Sequence, residues 1–146
     1  MSGILFDTSV YIQALRQGEA AVLGLRRALR TSDRQMHPLW LSLVVLEELY
    51  AGSVEAKVRR DLQRMEREFD KVGRLLLPSS RDWTSAGHVL RKIGQKYGFS
   101  LVTKARLTND ALIAMSVASH GFTIHTKNPK DFRLIAEFRP FNWETI

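Results

Sequence analysis

The stretch TNDALIAMSVASHGFTIHTKNPKDF, Thr108 to Phe132, constrains this chain more than any other. Thr108 and Asn109 form a polar cap, Asp110 follows, and Ala111 to His120 reads as a helix. Gly121 ends that helix, because it takes the left-handed conformation at no steric cost. Phe122 to His125 then reads as a short buried strand, and Thr126, Asn128 and Asp131 come directly after it. Helix, tight turn, strand and polar residues at the strand exit make half of an α/β unit. Ligand sites in such sheets lie outside the carboxyl ends of the strands. Asp110, Asn128 and Asp131 can therefore meet in space, and together they would build an acidic site.

The rest of the chain alternates in the same way. Gly3 to Phe6 is a short apolar strand ending at Asp7, with Thr8 and Ser9 as caps for a helix over Val10 to Arg16. After Gly18, Glu19 to Arg30 continues helically, with Val22, Leu25 and Leu29 on one face, and Thr31 to Pro38 is a polar loop. Leu39 to Leu41 is a second strand, and Ser42 starts a helix over Leu43 to Ala51 that Gly52 ends. Glu55 to Val72 is a long amphipathic helix. Its stripe of Val58, Leu62, Met65, Phe69 and Val72 reads as core, with a dimer or partner seam as the minority reading. Leu75 to Leu77 is a third strand. Ser80 caps a helix over Arg81 to Tyr97, with Trp83, Ala86, Leu90, Ile93 and Tyr97 inward. Gly98 to Leu107 is a loop carrying Lys104 and Arg106. Arg139 to Trp143 makes a last edge strand, with Pro140 near its start, where a missing donor is tolerated. Strands alternating with helices predict a parallel sheet covered on both faces.

Composition narrows the chemistry. At 146 residues the chain has the length of one domain, 1–146, with a real core. It contains no Cys, which rules out thiolate metal sites, Cys nucleophiles and disulfides and suits a reducing cytoplasm. No apolar run has transmembrane length and there is no signal-peptide start, so no membrane role is expected. The net charge of +7 favours an anionic partner, nucleic acid before membrane surface. A soluble basic protein without such a partner fits the charge equally well.

The acids carry more information. Asp7 lies at the first strand's exit, where capping of the next helix is the plain structural role. Glu48 shares the apolar face of Val44 and Val45, but Glu47 neighbours Leu43 and Val44, so periodicity separates the two only weakly. Asp110 stands at a helix start, where the dipole favours an anion. It also aligns with Ile113, Ala114 and Val117 and so points inward. Buried carboxylates are costly unless paired or bound to a cation. Two unit charges at ~4 Å repel by about 4 kcal/mol at an effective dielectric of about 20. A cluster of such acids with no Cys suits a hard cation, Mg²⁺ or Mn²⁺. Such sites activate water and stabilise the leaving oxygen of a phosphodiester, in some cases with two metals about 3.5–4 Å apart. Lys104, Arg106, Lys127, Lys130 and Arg133 surround these acids, as phosphate binding would require. Each alone is also an ordinary surface cation.

Three pieces, ILFDTSVYI, SLVVLEELYAG and NDALIAMSVASHGFTIHTKNPKDF, together resemble a PIN domain, and within that superfamily the VapC-type toxins of toxin–antitoxin pairs. Their order and the total length match as well, so the resemblance spans nearly the whole chain. It implies a three-layer α/β/α fold with a central, mainly parallel sheet. It implies a Mg²⁺- or Mn²⁺-dependent endoribonuclease with no covalent enzyme intermediate. The family's acids fall on Asp7, Glu48 (rather than Glu47) and Asp110, with the last acidic position at Asn128 or Asp131. Thr8, Ser9, Lys104, Arg106, Thr126 and Lys127 would then face RNA. The resemblance further implies a homodimer and a small VapB-like antitoxin, sought along Leu43 to Ala51 and Glu55 to Val72.

Other phosphoryl chemistries fit less well. A haloacid-dehalogenase-type phosphatase needs a second Asp two residues after the first, where Ser9 stands. A response-regulator receiver needs acids before its phosphorylated Asp, and the ILF strand offers none. No Gly-rich loop ends in Gly-Lys-Ser or Gly-Lys-Thr. His37, His88, His120 and His125 have no metal-like spacing. The rival from another class is a non-catalytic PIN-fold module that binds RNA or protein.

Overall fold

The run Ile-Leu-Phe, too short to be stable alone, becomes the middle of a sheet. The computed structural model describes residues 3–18 and 37–146. The expected helix over Glu19 to Arg30 and the start of the loop after it lie outside the described residues. Strand β1 (Ile4–Phe6) pairs in parallel with β2 (Leu39–Ser42) on one side and β4 (Thr123–Thr126) on the other. Leu5 is opposite Trp40 and Ile124. Outside them lie β3 (Leu75–Leu76), parallel to β2, and β5 (Asn142–Thr145), parallel to β4. The five-stranded order is β3-β2-β1-β4-β5.

The helices among the described residues are α1 (Thr8–Gln17), α2 (Leu43–Ala51), α3 (Ala56–Lys71), α4 (Ser80–Tyr97), α5 (Ala105–His120) and α6 (Lys130–Ala136). Helices cover both faces of the sheet and make a three-layer α/β/α fold. Leu5, Leu41 and Ile124 are fully buried, because a parallel sheet between helices has no wet face. Helix α5 is the most enclosed. Every residue from Asp110 to Val117 is buried, so apolar side chains surround its axis rather than forming a stripe. Gly121 ends it in the left-handed conformation (φ 68°), and the chain enters β4 two residues later. Among the described residues no helix is long and apolar enough to cross a membrane.

The strand order sets the position of the site. After β1 the chain builds β2 and β3 on one side, then crosses to build β4 and β5 on the other. The order reverses between β1 and β4, and the carboxyl ends there border the crevice where α/β sheets bind ligands.

Local chemistry corrects several sequence expectations. Helix α5 begins at Ala105, not after Asn109. Thr108 does not cap it, since its hydroxyl donates back to the Lys104 carbonyl one turn earlier (3.3 Å). Asp110 therefore lies beyond the first turn, outside the reach of the helix dipole. Helix α4 is capped by Ser79 rather than Ser80, through a reciprocal box with Asp82 (2.9 and 3.1 Å). That box turns Asp82, Ala86, Val89 and Ile93 inward. Trp83 and Tyr97, expected inside, are 59% and 46% exposed. Tyr97 donates to Glu137 of the segment after α6 instead. Helix α6, short and following Pro129, was not foreseen from periodicity. Its Phe132 and Ile135 are fully buried. The last strand begins at Asn142, beyond Pro140, rather than at Arg139.

Ser42 links the fold to the site. It is fully buried at the end of β2, and its Oγ accepts from the Val44 and Val45 amides (3.1 and 3.3 Å) at the start of α2. Losing this cap through Ser42→Ala is expected to lower stability by about 1 kcal/mol. Urea unfolding checks it: the midpoint falls and the slope is unchanged. An unchanged midpoint would mean that the two amides find other acceptors.

Candidate active site

Asp7 follows directly on β1. Its backbone N–H donates to the His125 carbonyl (3.1 Å), so it extends the ladder against β4. Its side chain is only 5% exposed. Ser9 Oγ donates to Oδ1 (2.5 Å) and Thr126 Oγ1 donates to Oδ2 (2.6 Å). Both bonds are at the short end for hydroxyl donors to a carboxylate. Each hydroxyl is held in turn by a backbone amide of the β4 exit. The Lys127 N–H donates to Ser9 Oγ (3.1 Å) and the Asn128 N–H to Thr126 Oγ1 (2.9 Å). The two strand exits are thus tied together through one carboxylate.

Glu48 projects from α2, where its Oε1 accepts from Thr8 Oγ1 (2.8 Å) at the start of α1. Glu47 is exposed, so the structure separates the two acids that periodicity left ambiguous. Asp110 comes from the second turn of α5 and is 8% exposed. Its carboxyl is pushed up to about 9, first by burial, then by a hydrogen bond to Asp131 and by the charges of Asp131, Glu48 and Asp7. A proton on Asp110 therefore serves the Asp131 bond in the absence of a cation.

These groups border one open cleft of about 280 Å³. Asp7, Glu48 and Asp110 line it with the hydroxyl-bearing Thr8 and Ser9. Arg106, Asn109, Ala105 and Ile12 complete the wall. Among the described residues, Asp7, Glu48, Asp110 and Asp131 form no ion pair with Lys, Arg or His. Nor do any three His, Asp or Glu side chains among them stand close enough to enclose an ion between them. The donor set nevertheless fits a hard cation that keeps water ligands. It is made of carboxylate oxygens, drawn from three elements, without a fixed positive partner among the described residues.

The remaining sequence candidates divide by depth. Arg106 lines the cleft from the first turn of α5, while Lys104 is the exposed residue before that helix. Thr126, expected at the substrate, is fully buried, and its hydroxyl is committed to Asp7. Lys127 is exposed and Asn128 half-buried, and both contribute backbone amides to the Asp7 network. Asp131, in the first turn of α6, hydrogen-bonds Asp110 and is not among the residues that line the cleft. Asn109 was expected only as a helix cap, and Ala105 and Ile12 were not singled out. The signal was present in helical spacing, since Ala105 and Asn109 are four apart, as are Arg106 and Asp110, and Thr8 and Ile12.

A five-stranded parallel sheet between helices, with three acids lining a cleft at its switch point, defines an α/β protein whose candidate site lies at the strand exits. The PIN domain family model matches residues 4–137, and the chain belongs to that family. Among solved structures, a chain of DNA-bound VapBC from Salmonella typhimurium is 20% identical with a TM-score of 0.68, covering 99% of this chain and 98% of that one. A chain of VapBC2 from Rickettsia felis, bound to a fragment of its promoter, is 19% identical with a TM-score of 0.64, covering 98% of each. One of VapBC-1 from nontypeable Haemophilus influenzae is 16% identical with a TM-score of 0.64, covering 97% of this chain and 96% of that one. At these identities the likeness is one of fold. No curated protein matches the chain by sequence.

The raised Asp110 carboxyl has a consequence for stability. A carboxyl that holds its proton more tightly when folded adds stability that is whole below its ordinary value of 3.8 and drains as pH rises through about 9. Asp110→Asn keeps a donor for Asp131 and does not titrate. In EDTA at neutral pH it is expected to melt at least about 2 °C above the parent, with a gap that widens from about pH 5 to about pH 9. A variant less stable across that range would show that Asp110 is ionised and compensated in the folded protein.

Proposed function

We propose that this chain is a divalent-metal-dependent endoribonuclease, the toxin component of a VapBC-type toxin–antitoxin pair. The observation that carries the reading is the meeting of Asp7, Glu48 and Asp110, from separate elements, in one cleft at the switch point. Family membership and the fold shared with VapBC chains support it.

In this reading Asp7, Glu48 and Asp110 hold Mg²⁺ or Mn²⁺, directly or through water, and Asp131 and Asn128 complete the site from behind. Bound there, the metal would lower the pKa of water for attack on a phosphodiester and offset charge on the leaving oxygen. Ser9 and Thr126 fix both oxygens of Asp7, so that carboxylate meets its ligand already oriented. Thr8 holds one oxygen of Glu48, Oε1. Arg106 holds a phosphate at the cleft wall, and the exposed Lys104 and Lys127 guide the chain of phosphates past it. Thr8 and Ser9 face substrate with whatever hydrogen-bonding capacity the carboxylates leave them. A small VapB-like antitoxin would cover the site, with α2 and α3 as its track, and the toxin would act as a homodimer in the cytoplasm.

The test is cleavage of labelled structured RNAs with Mn²⁺, with Mg²⁺ and with EDTA. Metal-dependent cutting is expected, absent in EDTA and reduced more than about 100-fold by Asp7→Asn, beyond the loss of an outer partner alone. Cleavage that persists in EDTA, or at full rate in the variant, would remove the carboxylates from the mechanism. A folded protein that binds RNA but neither cuts it nor binds metal would be the non-catalytic module.

A further inference from the structure

Part of the cleft wall remains once the acids and their hydroxyl partners are assigned. Asn109 lines it one residue before Asp110, and its side-chain amide has no hydrogen-bond partner among the described residues. Arg106, three residues earlier on the same helix, lines it too and pairs with no carboxylate among them. Ile12 from α1 and Ala105 from α5 give the same cleft an apolar surface. The guanidinium and the apolar side chains are unlike the groups that hold a hard cation. An amide with donor and acceptor both unspent among the described residues, next to apolar side chains and a guanidinium, suits an organic ligand carrying a phosphate.

The cleft holds about 280 Å³ and opens to solvent. It has room for one nucleotide against these residues, and the rest of an RNA chain can pass out over its open side. Proteins read RNA sequence where bases are splayed out with their edges free. A carboxamide presents a donor and an acceptor side by side, which match two adjacent groups on a base edge.

We infer that Asn109 is a specificity-determining residue: it reads the edge of a single unpaired nucleotide seated against Ile12 and Ala105, with Arg106 on an adjoining phosphate. The inference deepens the endoribonuclease reading by placing this nucleotide beside the scissile bond, but base recognition itself does not require cleavage. Asn109 directly precedes Asp110 on α5 and lines the same cleft, so the base would be fixed relative to the acids by one rigid helix.

The experiment uses the full-length Asp7→Asn protein in Mg²⁺ and fluorescence anisotropy with unstructured oligo(A), oligo(C) and oligo(U). One of the three is expected to bind more tightly by about 5- to 150-fold, the span of one bidentate side chain–base pair. Adding Asn109→Ala should level the affinities by weakening the preferred RNA, while Asn109→Gln retains part of the preference. With Asp7 intact, Asn109→Ala should change the ratio of kcat/KM between RNA sequences. Equal affinities in the parent, no RNA binding, or a preference that survives Asn109→Ala would overturn the inference. So would a loss of cleavage equal on all sequences, which marks a residue that merely shapes the helix. A preference erased by Asn109→Ala in a protein that never cuts RNA would sustain the base-reading site and defeat the nuclease reading.

Discussion

The two hydroxyls on Asp7 hold the site together. Ser9 and Thr126 come from α1 and β4, and each spends its proton on one oxygen of the same carboxylate. Their own lone pairs are taken by amides just past β4. This arrangement requires β1 and β4 to be neighbours, which the crossover after β3 brings about. It also requires Gly121 to turn the chain sharply from α5 into β4, so that one short segment joins Asp110 to the Asp7 network. The sheet order, the tight turn and the placement of the acids are therefore parts of one geometric solution.

Burial then makes the acids costly. Asp110 lies in a helix that is enclosed over two full turns, and its charged form is opposed by the carboxylates of Asp131, Glu48 and Asp7. An apolar residue there would pack at no such expense. In the metal-dependent reading, a divalent cation offsets that expense when the protein is at work. Arg106 is the only Lys or Arg in the cleft wall among the described residues, and it sits on the rim with Asn109. The cleft thus has an acidic floor and a side suited to a nucleotide.

Much of this could be read from the chain. Asp7 was visible because it follows an apolar strand, and Asp110 because it precedes a helical run with whose inward residues it aligns. Glu48 was visible only as one of two, since a helix places adjacent residues about 100° apart and both touched the apolar stripe. The sheet itself followed from the alternation of elements. What failed was local and polar. A capping box at Ser79 turned α4 by about one residue and put Trp83 outside. Thr108 bonded backwards and let α5 begin at Ala105, which brought Arg106 onto the face of Asp110 and Asn109 into the same cleft wall. Hydroxyl side chains have several partners within reach, and sequence does not say which one wins. Helix α6 was too short for periodicity to register, although Asp131 lies in it.

Whether the buried acids form a cation site is the central question, and a Mn²⁺ titration followed by calorimetry or paramagnetic resonance tests it without reference to any substrate. Saturable binding by the folded protein is expected, weakened at least about 10-fold by either Asp7→Asn or Glu48→Gln, as loss of a ligand requires. Binding that is undiminished in both variants, or no binding by a folded parent, would contradict the cation site.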